Sequence, residues 1–215
     1  VLAGTIAAPV PGTGLVKDQP AEGTPQDMAI TEQAFTVQDF GNDIYVQYAF
    51  VITNPNPATL GEFPTVRVTA RGKSGEVLGT DEAVLMELGP QQTTAWASQL
   101  DAADIPATVD FEYVKADWVN REQSPADFSA WPVTGLGVTR DGSSYAIAGE
   151  VTNPTTEDED NVRVTVVLRN AAGTMVGAAQ TYVTGVGAGQ KTPFSTDFGW
   201  ASGKVADAQG YAEPW

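Results

Sequence analysis

Four consecutive carboxylates, Glu157-Asp158-Glu159-Asp160, form the densest group of chemically capable side chains in this 215-residue chain. Calcium takes roughly six to eight hard oxygen ligands, so the loop is a candidate metal site. Against that reading, the chain has no Asp-x-Asp-x-Asp-Gly loop, and neighbouring residues of an extended chain point apart. The expected role of the four is a solvated acidic loop that discourages edge-to-edge strand pairing. A second candidate chemistry lies in five tryptophans, Trp96, Trp118, Trp131, Trp200 and Trp215. Flat indole faces can stack on sugar rings while acidic side chains accept bonds from sugar hydroxyls. Trp200 and Trp215 sit in turn-rich text and are the candidate ligand-binding residues.

Catalysis is not expected. The chain contains no histidine and no cysteine, which removes Ser-His-Asp and Cys-His machinery, thiolate metal sites and disulfides. Carboxylate pairs such as Asp81 with Glu82 or Asp101 with Asp104 could do acid/base work, but 27 acidic residues make such pairs common by chance. A Ser or Thr nucleophile would need a lysine as base. All five lysines, Lys17, Lys73, Lys115, Lys191 and Lys204, lie in loops or polar runs. No catalytic residue and no cofactor follow from the sequence.

The net charge of −16 divides as −2 over residues 1–28, −9 over 29–122 and −5 over 123–215. A field of one sign along the whole chain repels nucleic acid and anionic lipid. No run approaches the roughly 18 apolar residues of a spanning helix, so membrane contact is expected only through an anchor outside this sequence. The small, apolar start Val1-Leu-Ala-Gly-Thr-Ile-Ala-Ala reads as the stretch just after an export signal or anchor.

The elements that would position these residues are short strands. Phe35–Phe40 and Ile44–Thr53 are β-branched and aromatic, with a turn at Gly41-Asn-Asp43, and read as a hairpin. Alternation sends Ile44, Val46, Tyr48, Phe50 and Ile52 to one face, the expected core face. Asn54-Pro55 stops that strand and the next is expected from Thr65. Ala102–Pro106 reads as a brief helical or 3₁₀ bridge. With turn signals every 8–12 residues or so, the pattern is that of a β-sandwich.

That pattern occurs twice. Asn54-Pro55 recurs 99 residues later as Asn153-Pro154. Gly75 and Gly173, Leu88 and Val186, Trp96 and Phe194, and Tyr113 and Tyr211 are all 98 apart. A tandem repeat of one β module follows. Trp96, matched to Phe194, is expected in a core, while Trp118 and Trp131 flank the boundary. The expected layout is a Pro/Gly-rich linker or tail over 1–28, a first sandwich over 29–122, a linker over 123–132 and a second sandwich over 133–215.

Val166-Val-Leu168-Arg169-Asn170-Ala-Ala-Gly173, followed by Val176-Gly177, resembles the FxLYD motif, a strand ending Phe-x-Leu-Tyr-Asp that turns through glycine into the next. Glu150–Asn153, Asn161–Val164 and Gly187-x-Gly189-Gln190 sit where the same pattern places them. The match covers about residues 145–196 and departs at Val166, Arg169 and Asn170, which stand for Phe, Tyr and Asp. The resemblance implies an all-β chain of two tandem immunoglobulin-like β-sandwich domains, in a bacterial exported or lipid-anchored protein. It implies no catalytic or ligand residues. The function expected from the sequence is a non-catalytic interaction or spacer protein of the cell envelope, its partner a protein or a cell-wall component. The alternative is a carbohydrate-binding surface module using exposed tryptophans.

Overall fold

The computed structural model describes residues 24–119, 128 and 130–215. Over these the chain is all-β, with thirteen strands in antiparallel sheets. In the first half, β1 (Ala29–Asp39) and β2 (Ile44–Thr53) form the expected hairpin, and β6 (Thr93–Ala102) pairs with the other side of β2. The second sheet of this half centres on β3 (Leu60–Arg71). It pairs with β4 (Val77–Val84), β5 (Glu87–Leu88) and β7 (Thr108–Val119).

The second half repeats the plan. Strands β8 (Val133–Asp141), β9 (Ser144–Thr152) and β12 (Lys191–Ala201) pair in the order β8-β9-β12. Opposite them, β10 (Glu159–Arg169) lies between β11 (Met175–Val186) and β13 (Asp207–Pro214). Here β11 also bonds β12 at Gly177 and Ala178, so all six strands form one continuous sheet. A Cβ at Gly177 would stand 1.9 Å from the Trp200 carbonyl oxygen, so only glycine admits that approach. Its repeat partner Gly79 comes equally near β6, where a Cβ would stand 2.2 Å from the Asp101 carbonyl oxygen.

Alternation places the core side chains as the sequence predicts. Val46, Tyr48, Phe50 and Ile52 of β2 pack with Val66, Val68 and Ala70 of β3 in one buried cluster. Val162, Val164, Val166 and Leu168 of β10 pack with Ile147, Val151 and Phe194 in another. The opposite faces are buried as well, which the alternation does not foretell. Ala49 and Val51 of β2 and Ala95 and Ala97 of β6 meet Val167, Met175, Ala178 and Trp200 in a third cluster shared by both halves. Fully burying each Val or Met there contributes on the order of 1.5–3 kcal/mol.

Asn54 and Asn153, read from sequence only as strand stops, are buried completely. The Asn54 carboxamide donates from Nδ2 to the carbonyls of Thr59 (2.8 Å) and Leu88 (3.0 Å), and its Oδ1 accepts from the Asn56 backbone N–H (3.0 Å). Asn153 donates to Glu157 (2.8 Å) and Val186 (3.0 Å), and accepts from the Thr155 N–H (2.8 Å). Each thus ties the loop after one strand to the end of a strand 33 or 34 residues on. The loop needs this because its carbonyls, turned inward, meet no water.

Several boundaries move. Residues 1–23 of the expected tail and 120–127 and 129 around the expected linker lie outside the described residues. The tail's end belongs to the fold: Gln26 exchanges two 2.8 Å bonds with the Asn56 amide, and Met28 is buried in the first core. Trp131, placed in the linker, is buried in the second core. Strand β3 starts at Leu60 instead of Thr65, admitted by register shifts between Glu62 and Val66. The expected helical bridge at Ala102–Pro106 is instead a bend after β6, held by the Ala103 N–H on the Leu78 carbonyl.

Asn153→Ala removes a donor from the buried Val186 carbonyl and the part-buried Glu157 carbonyl and should cost about 2 kcal/mol of stability. Urea unfolding of the variant measures this, and a loss below about 1 kcal/mol would show that the loop does not depend on the amide.

Candidate functional site: an aromatic and carboxylate cleft between the halves

The two halves share a Val-Arg-Val-Thr stretch whose arginines have different surroundings. Val66-Arg67-Val68-Thr69 on β3 recurs as Val162-Arg163-Val164-Thr165 on β10 but displaced by two residues in the strand register, so that Arg67 corresponds to Thr165 and Arg163 to Thr65. Arg67 remains 40% exposed and pairs across the sheet with Glu82 and Glu112. Arg163 is 1% exposed. Its ladder neighbours are Tyr182 on β11 and Glu213 on β13, and it forms an ion pair with Glu213. The guanidinium lies 4.2 Å from the centre of the Trp96 ring and 4.7 Å from that of Trp215. Trp96 comes from the first half, so this cation is held between the two halves by aromatic faces.

The rings also hold one another. Trp215 lies 5.7 Å from Trp96 and 5.8 Å, edge-on, from Tyr182, and its backbone N–H donates to the Asn161 carbonyl at 2.9 Å. Burial among the rings lowers the Arg163 pKa to about 9, and the Tyr182 phenol opposes this by favouring the charged form. The Glu213 carboxylate in contact acts in the same direction as Tyr182.

Two more polar contacts cross the junction. Arg169 grips Glu32 of β1 with both terminal guanidinium nitrogens, one bond 2.8 Å long. That contact raises the arginine's pKa, as charge pairing requires. Gln180 on β11 accepts at 3.2 Å from the Ala97 N–H on β6, the outer strand of its sheet, and at 3.2 Å from the Thr165 hydroxyl. A side chain of one half thus satisfies an edge-strand donor of the other.

Beside this junction lies a cleft of about 810 Å³, lined from the first half by Met86–Leu88 and Gln91–Thr94 and from the second by residues including Trp131, Tyr211 and Trp215. Burial raises the Tyr211 phenol's pKa, and the Arg169 cation opposes that rise. Glu87, Glu159 and Glu213 also line the cleft; among the described lining residues there is no lysine or arginine.

The structure treats the sequence candidates unequally. Trp215 is 43% exposed at the cleft. Trp200 is not available to a ligand: it lies on β12, not in a loop, and is buried in the shared cluster. The acidic run does not assemble into a cation cage. Asp158 accepts the Ala188 N–H at 2.8 Å, Glu159 begins β10 and lines the cleft, and the Glu157 backbone serves Asn153. Among the described residues no three carboxylates converge to hold a metal ion.

The acid/base pairs do not converge either. Asp81 accepts the Tyr48 hydroxyl at 2.5 Å, whereas Glu82 accepts Arg67. The residues that sequence reasoning missed are Arg163, Glu213 and Trp96 as a set. One signal was present: a lone arginine inside the apolar run Val162–Leu168.

No known family profile matches this chain, and no curated protein matches it. Among solved structures, the N-terminal CBM22-1-CBM22-2 tandem domain of Paenibacillus barcinonensis Xyn10C aligns over 90% of this chain and 87% of its own, with 13% identity and a TM-score of 0.15. Similarity at that level assigns neither fold nor function.

Glu213→Ala strands the Arg163 charge in the aromatic cluster and should cost about 3–5 kcal/mol. Replacing both partners, as Arg163→Met with Glu213→Leu, should recover most of that loss. Chemical denaturation of the single and double variants checks it; a double variant as unstable as the sum of the two singles would overturn the assignment.

Proposed function

We propose that the protein is a non-catalytic interaction and spacer protein of the bacterial cell envelope, built from two immunoglobulin-like modules. The strand order supports the immunoglobulin-like reading: first, second and sixth strands in one sheet, with the third flanked by fourth and seventh in the other. The immunoglobulin fold likewise separates A, B and E strands from C and F. The observation that carries the functional reading is the junction. A shared apolar cluster and the Arg169–Glu32 pair fix the modules to each other, which suits a part that holds a surface at a set distance and angle. Flexibly linked beads would serve that purpose less well.

The carbohydrate reading keeps Trp215 alone. One ring face of Trp215 already meets Arg163 and its surroundings include Tyr182 edge-on, which leaves less open platform than sugar stacking uses.

Two measurements test the proposal. Calorimetry should show the halves unfolding in one transition; two resolved transitions would contradict a fixed unit. Fractionation of cells producing the full gene product, with protease added to intact cells, should place the protein outside the cytoplasm. Recovery in the protected cytosolic fraction would overturn the envelope assignment.

A further inference from the structure

The cleft between the halves has a chemistry of its own. Its polar rim carries Glu87, Glu159 and Glu213, its apolar wall carries Trp131, Tyr211 and Trp215, and no cationic side chain lines it among the described residues. Glu213 is committed to Arg163 and Glu87 is engaged in an interaction of its own, so Glu159, at the start of β10, is the carboxylate placed to meet a ligand. The whole chain carries a charge of −16, and a concave acidic surface concentrates such a field.

The same corner already binds a cation. Arg163 is held by a carboxylate and two indoles, and one of those indoles, Trp215, also lines the cleft. Aromatic faces with a carboxylate recognise guanidinium and ammonium groups through cation–π and charge-assisted bonds. The cleft is bordered by Met86, an exposed apolar side chain, which gives a chain on either side of the basic residue something to lie against.

We propose that this cleft docks an extended segment of a partner protein through an arginine or lysine side chain seated between Trp215 and Glu159. The inference rests on the reading of the protein as an interaction module and names the partner's chemistry.

The test uses the 215-residue chain and three probes: acetyl-Ala-Arg-Ala-Arg-Ala-amide, the same peptide with citrulline for arginine, and a neutral β-1,4-linked glucose hexasaccharide. Affinity is measured by calorimetry and location by the indole N–H resonances of Trp131 and Trp215. The arginine peptide should bind saturably and shift the Trp215 indole, with the uncharged analogue about tenfold weaker or worse. Glu159→Gln should weaken the arginine peptide severalfold, while Asp43→Asn, on the distant β1–β2 turn, should not. Trp215→Ala serves as a second variant, and Glu159→Gln decides the matter if that protein does not fold.

Equal binding of the citrulline peptide, equal loss in the Asp43 variant, shifts spread over the acidic surface, or saturable binding of the hexasaccharide alone would each overturn the proposal. No binding by a protein that is still extracytoplasmic and unfolds as one unit would remove this inference and leave the module reading standing.

Discussion

A primary amide shut away from water must find its bonds inside the protein, and at Asn54 and Asn153 the fold is arranged so that it does. Each amide closes the turn that follows its own strand and reaches the carbonyl at the end of a strand with which its own strand does not pair, Leu88 in one half and Val186 in the other. The two layers of a sandwich are otherwise held by side-chain packing, which is strong but non-directional. A bond from the end of β2 or β9 to the far end of β5 or β11 supplies the missing direction. It fixes where one sheet ends relative to the other, and hence which side chains of β3 and β10 fall opposite which. In the first half Asn56 extends the arrangement by binding both backbone groups of Gln26, which leads the chain into β1.

With that frame set, β2 and β10 are free to bury both faces. Sheets exposed on one side alternate apolar with polar residues. Here the second face of β2 carries Ala49 and Val51, and that of β10 carries Arg163, Thr165 and Val167. Small residues on β6, Ala95 and Ala97, let Met175 and Trp200 come close. Trp96 Nε1 and Arg163 Nη1 are buried without a hydrogen-bond partner, while polar side chains at the junction pair with one another, Arg169 with Glu32, Gln180 with Thr165 and the Ala97 N–H, and Arg163 with Glu213. Desolvating such groups without partners would cost more than the apolar contact gains, so the pairing is a condition for the junction to form.

The distinction between what could and could not be read in advance follows range. Periodicity within one strand is local, so the core face of β2 and the run Val162 to Leu168 were legible from spacing alone. The repeat was legible because its spacing of 98 residues persists through Gly75 and Gly173, which hold positive φ in matching turns. Trp200 was misplaced because a glycine-flanked tryptophan looks like a turn residue until β11 is known to come alongside β12. The acidic run was read as a solvated loop because adjacent carboxylates of an extended chain point apart. β13 went unread as a strand even though Tyr211 matched Tyr113, since Asp207-Ala-Gln-Gly-Tyr-Ala-Glu-Pro214 has little β propensity and is fixed by its pairing with β10. No local pattern could show that an arginine in β10 would meet a tryptophan from β6.

Comparison of the two halves shows how similar strand plans can form an asymmetric whole. At Arg67 the neighbouring positions hold Glu82 and Glu112, and the arginine stays at the surface in a solvated cross-strand pair, which contributes little to stability. Arg163 stands two residues nearer the start of its strand, where the first half has Thr65 between Val84 and Lys115; its neighbours are Tyr182 and Glu213, and the guanidinium is covered by Trp96 of the other half. The buried tie thus stands where the first half has a threonine, and an indole from that half covers it. Arg169 makes a second tie: Arg71, at the same register position beside the matching turn, pairs with Asp110 inside its own half, whereas Arg169 reaches across to Glu32. The residues that distinguish the copies are therefore concentrated where the copies meet. The cleft bordered by Trp215 and Glu213 exists because of that meeting and has no equivalent inside either module, so a ligand seated there would recognise the pair as assembled and neither half alone.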